Sequence, residues 1–204
     1  GSKVAFAEDI SKLMENFQEV RPTIIISVPR IYEKVHAGIL AKVADGSGLK
    51  KAIFRWAMAT AAKNLPYQCK NTPRTGLFAV RFNLADKLVF SKLKEAIGLN
   101  RLRFAISGGG PLSVSDAEFF IGMGVTILEG FGLTETTPVT HFNRPGNIKP
   151  GTVGHAIPQT KVKIADDGEL QIKGPQVMKG YYKNPAATKE VFTKDGFFRT
   201  GDIA

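Results

Sequence analysis

The chain has 204 residues, of which 43% are hydrophobic and 23% are charged, a balance typical of a folded globular protein. Its formal net charge of +10 is compatible with phosphate-rich ligands, anionic membrane surfaces or nucleic acid. No apolar run approaches the roughly 20 residues of a membrane-spanning helix, no signal-peptide pattern is present, and a single cysteine excludes a disulfide framework. The scattered histidines offer no metal-site spacing, and we expect a cytoplasmic protein.

Residues 1–140 alternate between helical periodicity and short β-branched runs. Apolar residues at helical spacing predict helices at 10–20, 29–43, 49–63 and 77–97. Runs of β-branched and apolar residues predict buried strands at 23–28, 102–107 and 125–128. Residues 64–76, which contain two prolines and end on a glycine, predict an exposed loop.

The segment between the second and third predicted strands indicates the topology. Gly108–Pro111 follow the second strand, and Ser113 can cap a helix that ends near Gly124. The third strand begins at once, and strand–helix–strand with short connections is typical of a parallel βαβ unit. Residues 1–140 are therefore predicted to form a layered α/β portion with a parallel sheet.

Residues 141–204 have a different pattern, with short alternating runs rich in Gly and Pro. Two such runs at 161–172 flank Asp166-Asp167-Gly168, which predicts a β-hairpin. Asn184-Pro185 predicts the start of a short helix, and residues 197–200 predict another strand. We expect this part to be a small β-rich, barrel-like subdomain that is truncated at its C-terminal end.

A run of basic residues lies between Lys42 and Arg74, where seven Lys and Arg residues accompany a single acid, Asp45. One interpretation is a solvated helix face, because charge runs usually mark exposed surface. The other is a patch for anionic phospholipid or substrate, with Phe54 and Trp56 seated at the interface. Both interpretations of the basic run stay open, so the protein could be cytoplasmic with or without peripheral membrane association. No nucleic-acid motif accompanies the run, which argues against DNA or RNA binding.

The stretch Glu129–Glu135 carries the most ligand chemistry. It follows the third predicted strand and combines two glycines, an aromatic ring, a hydroxyl and two carboxylates. In open α/β sheets, ligands bind where loops leave the carboxyl ends of strands. Phe131 can stack on a base, Thr134 can donate to a phosphate oxygen and Glu135 can hold Mg²⁺. We therefore predict a loop that binds a Mg-nucleotide.

Two further segments carry weaker indications. Gly108–Pro111 lack the lysine and the spacing of a Walker A loop or a dinucleotide fingerprint, and tight-turn packing alone would explain them. Asp202 follows a predicted strand and can accept hydrogen bonds from both ribose hydroxyls, although a cap or turn role would also explain it. The presence of Glu129–Glu135 in the same chain favours a ligand-binding role for both segments.

The order of these segments resembles that of the adenylate-forming, or AMP-binding, superfamily. The triple-glycine turn is followed by E-G-F-G-L-T-E-T, by P-G-T-V-G at 150–154 and by R-T-G-D at 199–202. This superfamily includes acyl-CoA synthetases, luciferases and the adenylation domains of peptide synthetases. The segment from Arg21 to Lys34, with the basic helical segment after it, is most similar to bacterial long-chain fatty acyl-CoA synthetases.

The resemblance implies a role for each candidate residue. Thr134 is expected to bind the AMP phosphate, Glu135 to coordinate Mg²⁺, and both to serve catalysis. Asp202 is expected to hold the ribose hydroxyls. Gly109, Gly110 and Pro111 are implied to border the adenine and the acyl pocket. The residues implied to contact the adenine are Glu129, Gly130 and Phe131, and Gly132 is implied to bind the nucleotide with them. The family usually has Tyr where Phe131 stands, so the aromatic face is kept and any hydrogen bond of the hydroxyl is lost.

The resemblance also implies a reaction that uses ATP, a fatty acid, CoA and Mg²⁺. A carboxylate attacks the α-phosphate of ATP to give acyl-AMP and pyrophosphate, and CoA thiolate then displaces AMP. The sequence has no Ser/Thr/Gly-rich loop with Pro-Lys-Gly, and the family's C-terminal domain with its catalytic Lys would follow the T-G-D segment. We therefore expect an internal fragment of a long-chain fatty acid–CoA ligase, inactive alone because the phosphate clamps are missing.

Two alternatives stay open. A fatty acyl-AMP ligase or another acyl-CoA synthetase would share the adenylation step but differ in acceptor or acid. A non-catalytic nucleotide- or lipid-binding module is the alternative of another class. Glu135 argues against that module, because a pure lipid binder has no need of a Mg²⁺ carboxylate. The sequence specifies neither the acyl chain length nor the oligomeric state.

Overall fold

The computed structural model describes residues 3–204, which fall into two compact units. The first unit runs to Glu129 and also includes Arg144–Thr152, whereas the second comprises Gly130–Asn143 and Val153–Ala204. The chain therefore passes from one unit to the other three times. The division into domains at residues 140 and 141 stays a prediction.

The first unit contains a parallel sheet and most of the helices. Its strands are β1 (Ile24–Ser27), β2 (Phe104–Ser107) and the beginning of β3 (Ile127–Gly132), and β2 pairs in parallel with both of the others. Its helices are α1 (Leu13–Val20), α2 (Pro29–Ala44), α3 (Gly48–Lys70), α4 (Gly76–Ala85), α5 (Ser91–Ala96) and α6 (Val114–Gly122). These elements confirm the predicted α/β class with a parallel sheet. No helix within residues 3–204 is long and apolar enough to cross a membrane.

Local sequence explains where two of these helices begin. Pro29 is the first residue of α2, where its missing N–H costs no hydrogen bond, and Ile31 and Ile39 belong to the buried stripe of that helix. Ser113 caps α6, because its hydroxyl oxygen accepts the backbone N–H of Asp116 at 3.1 Å. Both helices begin where the sequence predicts.

Helices α3 and α6 approach each other closely at Gly122. Ala57 and Ala61 of α3 are fully buried, and a Cβ atom added at Gly122 would lie 2.8 Å from the carbonyl oxygen of Ala61. Side chains do not approach backbone oxygens that closely, so only glycine fits without displacing α3. The absence of a side chain at Gly122 therefore sets the spacing between the two helices.

The structure differs from the prediction of a loop at 64–76, because α3 includes the first seven of these residues. Asn64 is fully buried, and its side-chain amide donates to the carbonyl oxygen of Gly122 at 3.0 Å. Pro66 removes one backbone donor in the last turns of the helix. The buried contacts of Asn64 outweigh that loss, so the loop prediction is wrong for this part of the segment.

The long helix predicted at 77–97 is present as α4 and α5, joined by a π-helical turn at Asp86–Phe90. Phe82 and Phe90 are both buried, with ring centroids 5.7 Å apart. In a regular α-helix, residues eight positions apart would point about 80° away from each other. The π-turn winds more slowly and brings both rings to the buried side.

The basic segment between Lys42 and Arg74 lies mainly on α3. This helix buries Phe54 in the first unit, so this ring is not available to an interface. Trp56 is half-buried, and the guanidinium carbon of Arg81 lies 5.9 Å from its ring centroid. The interpretation as a membrane patch loses one of its two aromatic anchors and otherwise stays a prediction.

The second unit is built from antiparallel strands. The end of β3 pairs with β4 (Val139–Phe142), which pairs with β5 (His155–Ala156). A separate sheet has the order β6 (Lys161–Ile164), β7 (Glu169–Lys173) and β8 (Phe198–Ile203). A short helix, α7 (Pro185–Glu190), connects β7 and β8 along the chain.

The hairpin turn and the short helix of the second unit lie where the sequence predicts them. Asp166-Asp167-Gly168 connect β6 and β7, and Gly168 has a φ of +86°, which favours glycine. The side-chain oxygen of Asn184 caps α7 by accepting the N–H of Ala187 at 3.1 Å. The β-rich character is confirmed, but the part of the chain from residue 3 to residue 204 forms no closed barrel.

Gly122→Ala is expected to destabilise the chain by about 1–3 kcal/mol, because the added methyl group overpacks the backbone of Ala61. Gly38→Ala in α2 is the matched control, since nothing lies within 4 Å of a Cβ atom at that position. The control should be stabilising by up to about 1 kcal/mol, the helix propensity difference between the two residues. Urea unfolding of the three proteins measures both effects. Stabilisation by both substitutions would contradict the close approach of α3 and α6.

Candidate functional site

Four predicted site residues, Glu129–Gly132, lie in β3 and not in a loop. From Gly130 onward the strand pairs antiparallel with β4, with Phe131 opposite His141. This pairing satisfies the backbone groups beyond the apolar run and extends the strand. The loop prediction is therefore wrong for these residues, and the turn that follows is the 3₁₀ helix Thr134–Thr136.

The glycines of this strand are required because β4 lies close to it. A Cβ atom at Gly130 would lie 2.7 Å from the ring of Phe142, and one at Gly132 would overlap the carbonyl oxygen of Pro138. Neither glycine has a left-handed backbone conformation. The neighbouring strand, and not conformational freedom, accounts for both.

Phe131 is half-buried, so part of the residue is accessible to a ligand that could stack on its ring. Its centroid lies 6.1 Å from that of His141, at an interplanar angle of 56°. The Thr140 hydroxyl donates to the carbonyl oxygen of Phe131 at 3.2 Å. Burial lowers the pKa of His141, so the imidazole beside Phe131 is neutral at pH 7 and supplies no positive charge.

One buried hydroxyl holds the 3₁₀ turn. Thr136 is fully buried, and its hydroxyl oxygen accepts the N–H of Leu133 at 2.9 Å and donates to the carbonyl oxygen of Pro138 at 2.8 Å. The turn leaves Thr134 exposed and Glu135 half-buried. A hydroxyl donor and a carboxylate thus stand side by side on a fixed turn, an arrangement suited to a phosphate and its cation.

The carboxylate of Glu135 has a partner that the sequence analysis missed. The hydroxyl of Tyr181 donates to Glu135 Oε1 at 2.9 Å, and the backbone N–H of Met178 donates to the Glu135 carbonyl oxygen at 2.7 Å. The hydrogen bond to Glu135 raises the pKa of Tyr181, because the carboxylate stabilises the protonated phenol. Tyr181 orients one carboxylate oxygen, and Oε2 is the other oxygen that can approach a cation.

Asp202 lies in β8 directly after a glycine with a left-handed backbone. Gly201 has a φ of +75°, and the pairing of β7 with β8 is irregular between Glu169 and Gln171. The N–H of Asp202 donates to the hydroxyl oxygen of Thr200 at 3.1 Å. Asp202 is exposed, so its carboxylate is accessible to a polar ligand.

A cavity within the second unit brings two of these segments together. Its volume is about 300 Å³, at the lower end of the range of about 300–1,000 Å³ for small-molecule pockets. Its lining includes Leu133, Glu135, Glu169, Tyr181, Thr200 and Gly201. The predicted Mg²⁺ ligand and the residue that precedes the predicted ribose acceptor thus line the same space.

The glycine turn after β2, in the first unit, leaves open space. Gly109 has a φ of +79°, the left-handed region that favours glycine. Cβ atoms added at Gly109 and Gly110 would lie 3.7 and 3.8 Å from Val28 and Pro29, which is ordinary contact. Both glycines and Pro111 are exposed, so the turn has room for a ligand. Packing does not explain the glycine at position 110.

The carboxylate of Glu129 is buried and bound to backbone amides of the first unit. Gly151 donates its N–H to Glu129 Oε1 at 3.2 Å, and the backbone of Leu112 hydrogen-bonds to the same carboxylate. Burial raises the pKa of Glu129, and the two backbone hydrogen bonds oppose this rise only in part. The side chain therefore ties β3 to the segment after β2 and to the P-G-T-V-G segment.

The predicted site residues are distributed over both units. Those of the first unit are Gly109, Gly110, Pro111 and Glu129. Those of the second unit are Gly130, Phe131, Gly132, Thr134, Glu135 and Asp202. Glu129, the last residue of the first group, and Gly130, the first residue of the second group, are neighbours within β3. Within the described range 3–204, no cluster of three or more His, Cys, Asp or Glu side chains is arranged to hold a metal ion.

Comparison with protein families gives one match that spans most of the chain. Residues 1–182 match the model of the AMP-binding enzyme family. The chain is 37% identical over 204 residues to the putative fatty-acid–CoA ligase fadD11 of Mycobacterium tuberculosis, and 39% identical over 200 residues to the long-chain-fatty-acid–CoA ligase FadD15 of Mycobacterium bovis. All of this chain is covered in the first comparison and 98% in the second, but only 36% and 32% of the relatives. The chain thus spans about a third of their length.

Solved structures show the same fold. The adenylation domain of a carboxylate reductase from Mycobacterium chelonae aligns with a TM-score of 0.60 at 25% identity, covering 97% of this chain and 27% of that one. Apo MatB from Rhodopseudomonas palustris aligns with a TM-score of 0.56 at 24% identity, covering 96% of this chain and 30% of that one. At these identities the comparison supports the fold and not a shared substrate.

Glu129→Gln is expected to change the pH dependence of stability. Because the folded pKa of Glu129 is raised above its ordinary value of 4.5, its contribution is full below that pH and is lost as the pH rises through the folded pKa. The free energy of unfolding of the natural protein minus that of the variant should therefore fall as the pH rises above about 4.5. Urea unfolding at several pH values measures this difference.

Glu169→Gln provides a comparison of opposite sign. The pKa of Glu169 is lowered, because burial is outweighed by its hydrogen bonds, so its contribution is present above pH 4.5 and is lost as the pH falls. The corresponding difference in unfolding free energy should rise with pH. Parallel trends for the two variants would contradict the environments described for the two carboxylates.

Proposed function

The chain belongs to the AMP-binding enzyme family, and from this premise we propose that it forms the adenylate-binding part of a long-chain fatty acid–CoA ligase. The relatives compared above are named as fatty-acid–CoA ligases, and this chain corresponds to about a third of each. The observation that carries the proposal is the cavity of the second unit. Glu135, the proposed cation ligand, and Gly201, which precedes the proposed ribose acceptor Asp202, both line this cavity.

The proposed reaction has two steps. A carboxylate oxygen of the fatty acid attacks the α-phosphorus of ATP, and the bond from that phosphorus to the bridging oxygen of pyrophosphate breaks, which leaves acyl-AMP. The thiolate of CoA then attacks the acyl carbon, and AMP leaves with the electron pair of the broken carbon–oxygen bond. Both steps need the AMP portion to be held still while charge moves on the phosphate and the acyl carbonyl.

The residues of the second unit fit the AMP portion of this intermediate. The exposed Thr134 hydroxyl can donate to a phosphate oxygen, and the exposed Asp202 carboxylate can accept hydrogen bonds from two ribose hydroxyls. The accessible face of Phe131 suits stacking on adenine. In the first unit, the open turn at Gly109, Gly110 and Pro111 suits the backbone approach of a ligand.

Glu135 fits the proposed magnesium ion. Magnesium is usually bound by one or two carboxylates together with substrate phosphates and water, so a full cluster of protein ligands is not required. Tyr181 holds one oxygen of the Glu135 carboxylate, which fixes the direction of the other. When bound, the ion neutralises charge on the phosphates during transfer.

The sequence of 204 residues contains no Ser/Thr/Gly-rich loop with Pro-Lys-Gly to hold the β- and γ-phosphates of ATP. We propose that catalysis requires the longer protein. The rival within the same chemistry is a ligase that transfers the acyl group to an acceptor other than CoA. A panel of fatty acids of different length, with CoA present or absent, separates the two through the product formed.

Glu135→Gln in the longer enzyme should lower the rate of fatty-acid-dependent ATP–pyrophosphate exchange by about 100–1,000-fold, the usual cost of removing one transition-state stabiliser. Asp195→Asn is the matched acidic control, because Asp195 forms an exposed ion pair with Lys163 at 3.5 Å. The control should keep the exchange rate of the natural enzyme. Full activity of Glu135→Gln would overturn the assignment of Glu135.

The isolated chain of 204 residues is expected to catalyse no ATP–pyrophosphate exchange, because it lacks the residues that grip the departing pyrophosphate. The longer enzyme, measured under the same conditions, serves as the positive control. Exchange by the isolated chain above the rate of a protein-free blank would show that the missing segments are not needed for the first step.

A further inference from the structure

A buried carboxylate of β7 binds the backbone next to the predicted ribose acceptor. Glu169 Oε1 accepts the N–H of Gly201 at 3.1 Å. Glu169 Oε2 accepts from Arg199 Nε at 3.0 Å and from Gln171 Nε2 at 3.2 Å. The side chain of Glu169 is only 9% exposed, so these three donors supply the hydrogen bonds that a buried carboxylate needs.

We propose that Glu169 is a positioning residue that holds the Gly201–Asp202 backbone so that the carboxylate of Asp202 meets the ribose hydroxyls of the nucleotide. This inference rests on the proposed function, in which Asp202 is the ribose acceptor. In this assignment Glu169 binds the Gly201 backbone and the side chains of Arg199 and Gln171, and it does not bind the nucleotide.

Hydrogen bonds, and not packing, fix this turn. Gly201 has a φ of +75°, and nothing lies within 4 Å of a Cβ atom added there. Glycine is the residue with the greatest conformational freedom, so an unpacked glycine requires another restraint to keep one conformation. The donors and acceptors around it supply that restraint. The Thr200 hydroxyl donates to the carbonyl oxygen of Leu170 at 2.7 Å and accepts the N–H of Asp202 at 3.1 Å.

The chemistry of position 169 favours a carboxylate over an amide. All three groups that approach Glu169 are donors, and a carboxylate is an acceptor at both oxygens. A glutamine would turn its NH₂ group toward Gly201 or toward Arg199, and one of those donors would lose its acceptor. Burial alone would raise the pKa of Glu169, but the hydrogen bonds from Arg199, Gln171 and Gly201 lower it, so the carboxylate is ionised at neutral pH.

A role limited to stability would make a different prediction. Glu169 and Arg199 form an ion pair between neighbouring strands, and such a pair can simply strengthen the sheet. Loss of that function would reduce activity with every nucleotide to the same extent. Loss of positioning would reduce activity more with nucleotides that have the ribose 2′-hydroxyl than with nucleotides that lack it. The discrimination between ATP and 2′-deoxy-ATP therefore separates the two roles.

The test compares kcat/KM for ATP and for 2′-deoxy-ATP in ATP–pyrophosphate exchange by the longer enzyme. Asp202→Ala should reduce the preference for ATP by about 10-fold or more, as expected for losing hydrogen bonds to a charged acceptor. Glu169→Gln should reduce the same preference by about 3- to 10-fold, because Asp202 is present but no longer held. Asp195→Asn, which removes the other ion pair of this sheet, should leave the preference unchanged.

Glu169→Asp covers the case in which the amide variant does not fold. It keeps the charge beside Arg199 but withdraws the carboxylate from Gly201 by one methylene, and it should lower the preference in the same way. Equal losses with both nucleotides in the Glu169 variants, or an unchanged preference, would overturn the positioning role while that of Asp202 stands. An unchanged preference in Asp202→Ala would overturn both the ribose assignment and the inference built on it.

Discussion

The candidate site depends on a change of partner along β3. The strand pairs in parallel with β2 up to Glu129 and antiparallel with β4 from Gly130, so one continuous extended segment belongs to both units. The second pairing is possible because Gly130 and Gly132 present no side chain to β4. The 3₁₀ turn with Thr134 and Glu135 begins where this pairing ends. The direction in which these two residues leave the strand is therefore set by backbone geometry.

Two buried carboxylates, those of Glu129 and Glu169, both bind backbone amides, but their pKa values shift in opposite directions. Glu129 accepts the N–H of Gly151 and Glu169 accepts that of Gly201, and both glycines have a φ of +75°. Burial raises the pKa of Glu129, and the hydrogen bonds from its neutral amide partners oppose this rise only in part. Burial also opposes the charge of Glu169, but Arg199 supplies a positive partner and the pKa falls. Each side chain accepts the N–H of a glycine with a left-handed backbone. Glu129 belongs to the E-G-F-G-L-T-E-T motif, whereas Glu169 lies outside the motifs that indicate the family.

Local patterns predicted the parallel strands, the cap at Ser113, the helix start at Asn184-Pro185, the hairpin and, through motif order, the family. These patterns failed at positions where residues distant in sequence determine the local conformation or the contacts of a side chain. Asn64 keeps α3 helical past Pro66 through a bond to a residue 58 positions away. Glycine in a strand was interpreted as a turn, since only a neighbouring strand reveals why it is needed. Tyr181 and Glu169 were missed because their partners lie 46 and 32 positions away, and a buried Glu in an alternating strand resembles a solvent-facing residue.

The unpacked turn at Gly201 also has a consequence for the energetics of binding. A segment restrained by hydrogen bonds near solvent opens locally at a lower free energy than one restrained by buried side chains. If the turn opens in this way, the apparent affinity for a ligand scales with the fraction of molecules in which the hydrogen-bonded conformation is formed. A nucleotide that engages Asp202 would contribute binding free energy to closing the turn. The fraction of molecules with the Gly201 turn formed and the fraction with nucleotide bound would then increase together, because the two equilibria are linked.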